Sequence, residues 1–432
     1  MLIFVLFIHL IFLAAFTYRL QKGESTSLKI YFWPALFIKM ISGIALGLLY
    51  IYYYSLGDTF QYFKDGSLLA SFARNNLVSY FSFLWSGNES FDIWQSLGLT
   101  VPRALFLVKI VSVICLLTLN DYWLVSLYFS LASFYGAWLL LKQVIALNPT
   151  YKHPALAAIL FFPSVVFWSS GLMKESLAMA CLFFLSALFL KTWRKENPKL
   201  MEWVLMCIAV WLLWNLKYYY LAVFLPIVFA SFVFKFFIHP FLTTKKIIIR
   251  ILIWLIVLII PLAVMSFIRP NFYPDRFLHV IVSNNDVFNQ RSDAWDAIHY
   301  SNLQPNAFSV FVNSPWALFS GLFRPFLWEV NTVFQFLVAI ENTFIFLLTA
   351  SAIFRGRTAL QTPNRLLVFS IITYTSILCV FLALSTPNFG TLVRYKVGFL
   401  PFFLLIILID NPILFRIFSF YEMAMHKIHR IS

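Results

Sequence analysis

Charge is scarce in this chain. Of its 432 residues only 11% are Asp, Glu, Lys or Arg, against roughly 25% in an ordinary soluble domain. Acid is scarcer than base, with 17 Asp and Glu beside 32 Lys and Arg. No hydrophilic stretch is long enough to fold alone, which excludes the row of soluble domains that the length would otherwise suggest. Cysteine is nearly absent. Cys115, Cys181, Cys207 and Cys379 each lie inside an apolar run without CxxC or metal-ligand spacing, so no disulfide framework is expected. A Walker loop, a GxGxxG turn, an HExxH pair and a Cys/His set are all missing. Neither metal nor cofactor is therefore expected. Internal repeats and low-complexity tracts are missing too.

What is abundant is apolar surface. The chain is 62% hydrophobic and holds 51 Phe. A spanning helix needs about 20 apolar residues. Candidate spans fall near 1–18, 33–55, 103–119, 122–146, 154–170, 174–191, 201–218, 220–238, 247–267, 330–353, 365–384 and 395–413. The runs lack the period-two alternation of barrel strands, leaving helices as the way across. The expectation is an all-α, polytopic transmembrane helical bundle of about 12 spans, one integral membrane domain over 1–432. The first 23 residues have no basic n-region or small-residue cleavage site and read as a first transmembrane helix.

The net charge of +15 would suggest nucleic acid in a soluble protein. Here the basic residues cluster in short connections, so topology and anionic membrane lipids account for them, and no nucleic-acid partner is expected. Arg19, Lys22 and Lys29 mark one cytoplasmic connection, and Lys191, Arg194, Lys195 and Lys199 a second. Lys245, Lys246 and Arg250, then Arg355, Arg357 and Arg365, then Arg416, Lys427 and Arg430 mark the others. This places 56–102 and 269–329 outside as first and second outer loops carrying short interfacial helices. They hold nine of the seventeen acids: Asp58, Asp65, Glu89, Asp92, Asp275, Asp286, Asp293, Asp296 and Glu329. The C-terminal segment 412–432 is expected on the cytoplasmic surface. One conflict remains. Four apolar segments lie between 102 and 191, whereas the charge pattern requires an odd number of crossings there, so a short, re-entrant or miscounted segment is expected in the pair around 154–191 or at the tight 119–122 connection.

Charge near the membrane interior costs about 2.5–3.5 kcal/mol per residue on insertion scales, so each such residue needs a reason. Four stretches stand out. In "GDTFQYFKDG", Asp58, Tyr62 and Asp65 share one face if the segment is helical, although Asp58 also suits a helix cap. In "FFPSVVFWSSGLMKESLAM", Pro163 and Gly171 interrupt the apolar run before Lys174 and Glu175 open the next helix. That arrangement suits phosphate, or a plain hairpin with a surface ion pair. In "SGLFRPFLWEV", Arg324 and Glu329 sit among interfacial aromatics that also anchor helices. In "STPNFGTLVRYKVGFLPFF", Arg394, Tyr395 and Lys396 face outward against the positive-inside bias, a pattern suited to a lipid-linked phosphate or a lipid headgroup. His9, Lys39, Lys109 and Glu341 lie inside predicted spans. The two lysines are expected to snorkel, His9 to be a hydrogen-bonded packing residue, and Glu341 to face the bundle interior.

These stretches resemble the GT-C superfamily of membrane glycosyltransferases. The resemblance rests on Asp58 followed by Tyr62 in the first outer loop, on the broken "FPSVVFWSSGLMKES" with Glu175, and on "RYKVGFLPFF". It implies a polyprenyl-phosphate-linked sugar donor, a glycan, lipid or protein acceptor, and an outward-facing site. Asp58 would be the catalytic base. Tyr62, Asp65, Lys174, Glu175, Arg324, Arg394, Tyr395 and Lys396 would contact substrate. The family often carries two adjacent acids in that loop, whereas Gly57 and Thr59 flank a lone Asp58 here. The features are also similar to those of repeat-unit polymerases of surface polysaccharide. A transporter would need repeat symmetry, and a non-catalytic assembly subunit would need none of these charges. The thin charge of the outer loops and their lack of cysteine suit a bacterial inner membrane.

Overall fold

In a computed structural model the chain is a bundle of helices, described over residues 2–54, 57–87, 91–242, 246–354 and 364–431. Glu89, Lys245, Arg355 and Arg357 lie outside these residues, as do the side chains of Lys427 and Arg430. Among the described residues there are no strands, only one isolated bridge between Ala297 and Asn388. The first half comprises α1 (Leu2–Lys22), α2 (Thr26–Tyr52), α3 (Asp58–Asn75), α4 (Leu77–Ser86), α5 (Pro102–Thr118), α6 (Tyr122–Leu147), α7 (Lys152–Ala155), α8 (Pro163–Trp168) and α9 (Lys174–Trp193). The second half comprises α10 (Leu200–Val233), α11 (Ile247–Ile268), α12 (Phe277–Arg291), α13 (Ala307–Phe323), α14 (Val333–Phe354), α15 (Arg365–Ser385), α16 (Phe389–Tyr395), α17 (Leu400–Ile407) and α18 (Pro412–Ile431).

Eight of these helices are long and apolar enough to cross a membrane, or nine with the bent pair formed by α16 and α17. The other predicted segments differ for local reasons. Residues 154–170 are divided by Pro163 and by a π-helical turn over 156–161. Residues 395–413 bend by 69° between α16 and α17. Segments 201–218 and 220–238 both fall within α10 and correspond to the two legs on either side of its break at Lys217 (φ −143°, ψ 62°).

The two ends of the bundle are named inner and outer after the orientation expected from the lysines and arginines, and each is recognised by its contacts. At the inner end Lys142 meets Glu24 at 2.8 Å, Lys152 meets Glu422 at 2.6 Å and Lys191 meets Glu202 at 2.7 Å. At the outer end Thr59 bonds Tyr122 and the Leu172 carbonyl, both at 2.9 Å. The path of α10 follows. Near its start Glu202 touches Lys191 at the inner end of α9, and at its break Lys217 reaches Glu175 at the outer end of α9. Beyond the break Lys235 donates to the Trp193 carbonyl, back at the inner end. So α10 runs up one side of α9 and down again as two antiparallel legs.

The same reasoning removes the conflict between 102 and 191. Arg103, at the start of α5, lies over the Tyr218 ring at 5.3 Å. Tyr122, four residues past the end of α5, bonds Thr59. Both ends of α5 are therefore outer, and α5 packs along α3 instead of crossing, which corrects the expected span at 103–119. What remains is α6 inward, 152–168 outward and α9 inward, an odd number. The side of α5 that packs on α3 and α10 is buried, with Phe106 against Trp211, while Val113 and Leu117 stay exposed.

The core forms around α6 and α9. Their backbones approach so closely that a β-carbon on Gly136 would lie 2.5 Å from the Ala180 carbonyl oxygen. In the second outer loop α13 goes deeper than an interfacial helix should. Gly321 packs on Cys379 of α15, and the Leu318 carbonyl lies 3.7 Å from the same thiol. At the inner end α18 is amphipathic. Tyr421 bonds the Ile30 carbonyl at 3.0 Å, Glu422 accepts from Tyr31 at 2.8 Å, and Phe415, Ile417 and Phe420 stay exposed for lipid. Partial burial raises the Glu422 carboxyl, but bonds from Lys152, Tyr31 and His153 outweigh it and hold the group below the usual carboxylate range.

Two outcomes are expected. Gly136→Ala forces α6 and α9 apart and lowers stability by about 1–3 kcal/mol, measured as a midpoint shift in detergent; an unchanged midpoint would contradict the contact. Glu422 contributes stability above its unfolded-state pKa and loses it as pH falls through its lower folded-state value. Protease release of α18 should therefore rise in acid for the wild type, with Glu422→Gln already elevated at neutral pH; a flat wild-type profile would reject the docking role.

Candidate functional site

Four chain breaks deliver five charged side chains to one place at the outer end. Asp58 is the first residue of α3, after Gly57. Lys174 and Glu175 open α9 directly after Gly171, whose φ of +68° a side chain would strain. Lys217 occupies the break in α10, where the backbone leaves helical geometry. Arg394 ends α16, which Asn388 starts by accepting from the Thr391 amide at 2.9 Å.

The charges form a chain. Lys217 donates to Glu175 Oε1 at 2.8 Å, Arg394 Nε lies 3.4 Å from that same oxygen, and Arg394 Nη1 donates to Asp58 Oδ2 at 2.8 Å. Arg394 also donates to the Tyr50 hydroxyl at 3.2 Å, while its Nε has no hydrogen-bond partner. Lys217 lies over the Tyr395 ring at 3.7 Å, and Lys174 over the Tyr62 ring at 5.0 Å. The carboxylates differ in availability. Glu175 is 3% exposed and committed to two cations, whereas Asp58 is 51% exposed with one oxygen engaged.

Two cavities meet at the Asp58–Arg394 pair. One, of about 240 Å³, is lined by Arg103, Lys174, Lys217 and Arg394 with Asp58, Glu175, Tyr62 and Tyr395. Lys174 and Arg103 make no ion pair among the described residues, so this cavity carries surplus positive charge. The other, of about 440 Å³, is lined by Tyr50, Tyr53, Tyr54, Trp168, Trp295 and Phe334, with Asp296, Gln335, Asn388 and Thr391 between the rings. There Asp296 accepts from Gln335 at 2.7 Å and from Asn388 at 2.9 Å. Burial nonetheless raises its carboxyl above the usual range. Burial also pushes the Tyr54 phenol up to about 12, so it stays neutral and able to donate. Tyr62 is raised by burial and then by the carboxylates of Asp58 and Glu175.

Asp58, Tyr62, Lys174, Glu175, Arg394 and Tyr395 thus come together as the sequence suggested. Three other candidates do not. Asp65 is fully buried two turns along α3 from Asp58, accepting from the Leu99 amide at 2.8 Å and from Gln61 at 3.0 Å; it fastens the first outer loop. Arg324 is held by Glu329, with Nε 2.8 Å from Oε1, and stacks on Trp316 and Phe389. Lys396 points inward and donates to the Arg324 carbonyl at 2.9 Å and to Asn342 at 3.2 Å. One residue separates it from Arg394, and the helical turn there sends the two cations apart.

Arg103 and Lys217 are the site residues that sequence reading missed. Lys217 falls between two predicted spans, where a lysine looks like an ordinary boundary; the adjacent "KYYY" was the available signal. Among the lesser outliers, His9 is hydrogen-bonded with Tyr128 at 2.6 Å, and Glu341 faces inward, accepting from the Ser164 amide at 3.0 Å. Lys39 does not snorkel; it is buried and donates to Ser169 at 2.5 Å. Lys109 caps the Leu84 carbonyl at 2.9 Å.

No protein-family model matches this chain, and neither a curated protein nor a solved structure matches it.

Removing one partner of a buried ion pair costs about 3–5 kcal/mol, because the other charge stays buried alone. Glu175→Gln should therefore destabilise strongly, and Glu175→Gln combined with Lys217→Met should destabilise less than the single change. Urea unfolding in micelles measures this; strictly additive losses would show the two groups to be uncoupled.

Proposed function

We propose that the chain is a membrane glycosyltransferase of GT-C type, moving a sugar from a polyprenyl-phosphate carrier to an acceptor on the outer face. One observation carries this reading. A half-exposed carboxylate and a guanidinium, Asp58 and Arg394, stand together at the boundary between a cationic cavity and an aromatic one. The chemistry calls for that division. A phosphate needs fixed cations. A sugar offers hydroxyls to amides and carboxylates, and its C–H faces suit aromatic rings.

In this reading the carrier phosphate enters the cationic cavity beside Arg103, Lys174 and Lys217. Its negative charge competes with Asp58 for Arg394. Arg394 turns to the phosphate, and Asp58 is released toward the acceptor. The acceptor hydroxyl oxygen attacks the anomeric carbon while the bond from that carbon to the phosphate oxygen breaks. Asp58 takes the hydroxyl proton. The developing negative charge falls on a phosphate already held by cations, and polyprenyl phosphate leaves with the anomeric centre inverted. Glu175 keeps Lys217 and Arg394 in place without touching substrate.

The carrier tail has a path. An apolar groove of about 240 Å³ between the second leg of α10, α11, α12 and α15 is lined by Tyr219, Met265, Phe272, Phe277, Ile377 and Phe381. Tyr219 links groove and site, its ring centroid 6.4 Å from that of Tyr395. The engagement of Arg324 by Glu329 weighs against a polymerase, which would use arginines from both outer loops. The outward position of the site fits a donor already carried across a bacterial inner membrane.

The test is release of polyprenyl phosphate from a panel of radiolabelled polyprenyl-phosphate sugars by purified protein with a mixture of glycan and lipid acceptors. Asp58→Asn should reduce turnover by about 10²–10⁴-fold, the usual contribution of a positioned base. Arg394→Gln should impair both turnover and donor affinity. Equal turnover by wild type and Asp58→Asn would discard the assigned base. Chain extension from oligosaccharide-diphosphate lipids alone would favour the polymerase.

A further inference from the structure

Beside the cationic cavity, two arginines from distant parts of the chain stand on one ring. The ring is Tyr218, which follows the break of α10 at Lys217. Arg269, the residue that closes α11, lies over it at 4.0 Å and over Trp214 at 5.7 Å. The short turn Pro270–Phe272 then fastens to the same ring. Asn271 donates to the Tyr218 hydroxyl at 2.8 Å, and Phe272 packs across the ring at 71° with centroids 5.3 Å apart. From the other side Arg103, at the start of α5, reaches the ring at 5.3 Å.

Two like charges therefore share one aromatic floor, and both are half-buried. Neither guanidinium makes a hydrogen bond or an ion pair among the described residues. Arg324 and Arg394 at the same end differ, being matched by Glu329 and by Asp58 with Glu175. Burial lowers the Arg269 guanidinium from its ordinary value; Tyr218 opposes this and the like charge of Arg103 adds to it. Contact with the ring face offsets part of the cost. It leaves the N–H groups of both forks without acceptors, and a planar fork of that kind suits phosphate oxygens.

The pair stands between two places that a lipid-linked donor must occupy. Arg103 lines the cationic cavity. Met265, Ser266 and Phe272 line the apolar groove, and Arg269 falls among them in sequence while lining neither space. Phe267 and Ile268 beside it stay exposed for lipid. A lipid with its tail in the groove would bring its phosphate to the two arginines. We infer that Arg103 and Arg269 form a docking subsite for the phosphate of the polyprenyl carrier, occupied as the donor enters from the membrane and again as the spent carrier leaves. Released polyprenyl phosphate is a monoester with about two negative charges near pH 7, and the pair offers two positive ones. The identity of the lipid rests on the transferase reading; the phosphate subsite itself rests on the two unmatched forks.

The experiment reads binding apart from turnover. The full chain in phosphatidylcholine nanodiscs is titrated with geranylgeranyl phosphate, and with geranylgeraniol and inorganic phosphate as the tail and the anion alone. Wild type should bind the phosphate lipid and neither fragment at the same concentration. Arg269→Gln should bind it about tenfold more weakly, the usual worth of a hydrogen bond to a charged group. Arg269→Lys, which keeps the charge, should fall between the two, with unfolding midpoints of all three proteins read in the same discs. No binding by wild type, or equal binding by wild type and Arg269→Gln, would overturn the subsite. So would equal losses in both variants with lowered midpoints, because packing on Tyr218 would then be the residue's role. Inorganic phosphate binding as tightly, or phosphatidic acid competing as well as geranylgeranyl phosphate, would overturn the assignment to the carrier. With a working sugar donor, Arg269→Gln should raise donor KM about tenfold and lower kcat far less. Turnover with donor KM unchanged in that variant would reject the subsite and keep the transferase. Arg269-dependent binding without any turnover by wild type would reject the transferase and keep the phosphate subsite.

Discussion

The outer half of this molecule depends on charge that cannot be left alone in a low-dielectric interior. Glu175 is almost fully buried, and so is Lys217. An unpaired ion there would cost several kcal/mol, so the two must meet, and Arg394 must join them from another helix. Asp58 completes the chain from the exposed side. Because these four residues sit on α3, α9, α10 and α16, one electrostatic requirement fixes where four helix ends lie relative to each other. The break in α10 lies at Lys217 itself and turns the following leg back along α9.

That requirement also explains the unequal roles of the two carboxylates. Glu175 is saturated by cations and inaccessible, which suits a group that holds others in position. Asp58 shares only one oxygen with Arg394 and remains half exposed. A ligand phosphate can take its place on the guanidinium without exposing a bare buried charge, because the exchange swaps one anion for another.

The two ends of the bundle use positive charge differently. At the inner end most lysines meet glutamates or the membrane boundary, as the positive-inside bias leads one to expect. At the outer end Arg103 and Lys174 run against that bias, and a surplus of cations there is costly unless an anion visits.

How much of this could be read from the sequence follows from the range of each interaction. Apolar runs determined the helices, because hydropathy over about twenty residues is a local property. Lysine and arginine in short connections determined which end is inner. Asp58, Lys174, Glu175 and Arg394 stood out because charge beside a membrane span is rare and must be satisfied somehow. Only the tertiary structure decided by what. Asp65 found a backbone amide, Arg324 found Glu329, and Lys396 found a carbonyl and an asparagine, while Arg394, two residues from Lys396, found the site. The burial cost of each ion is the same whether a ligand or the protein offsets it, so composition cannot separate the cases. The role of α5 was hidden for a similar reason. A largely apolar helix of 17 residues is equally content across a membrane or along another helix, and only the positions of both its ends, set by Arg103 on Tyr218 and Tyr122 on Thr59, tell the two apart.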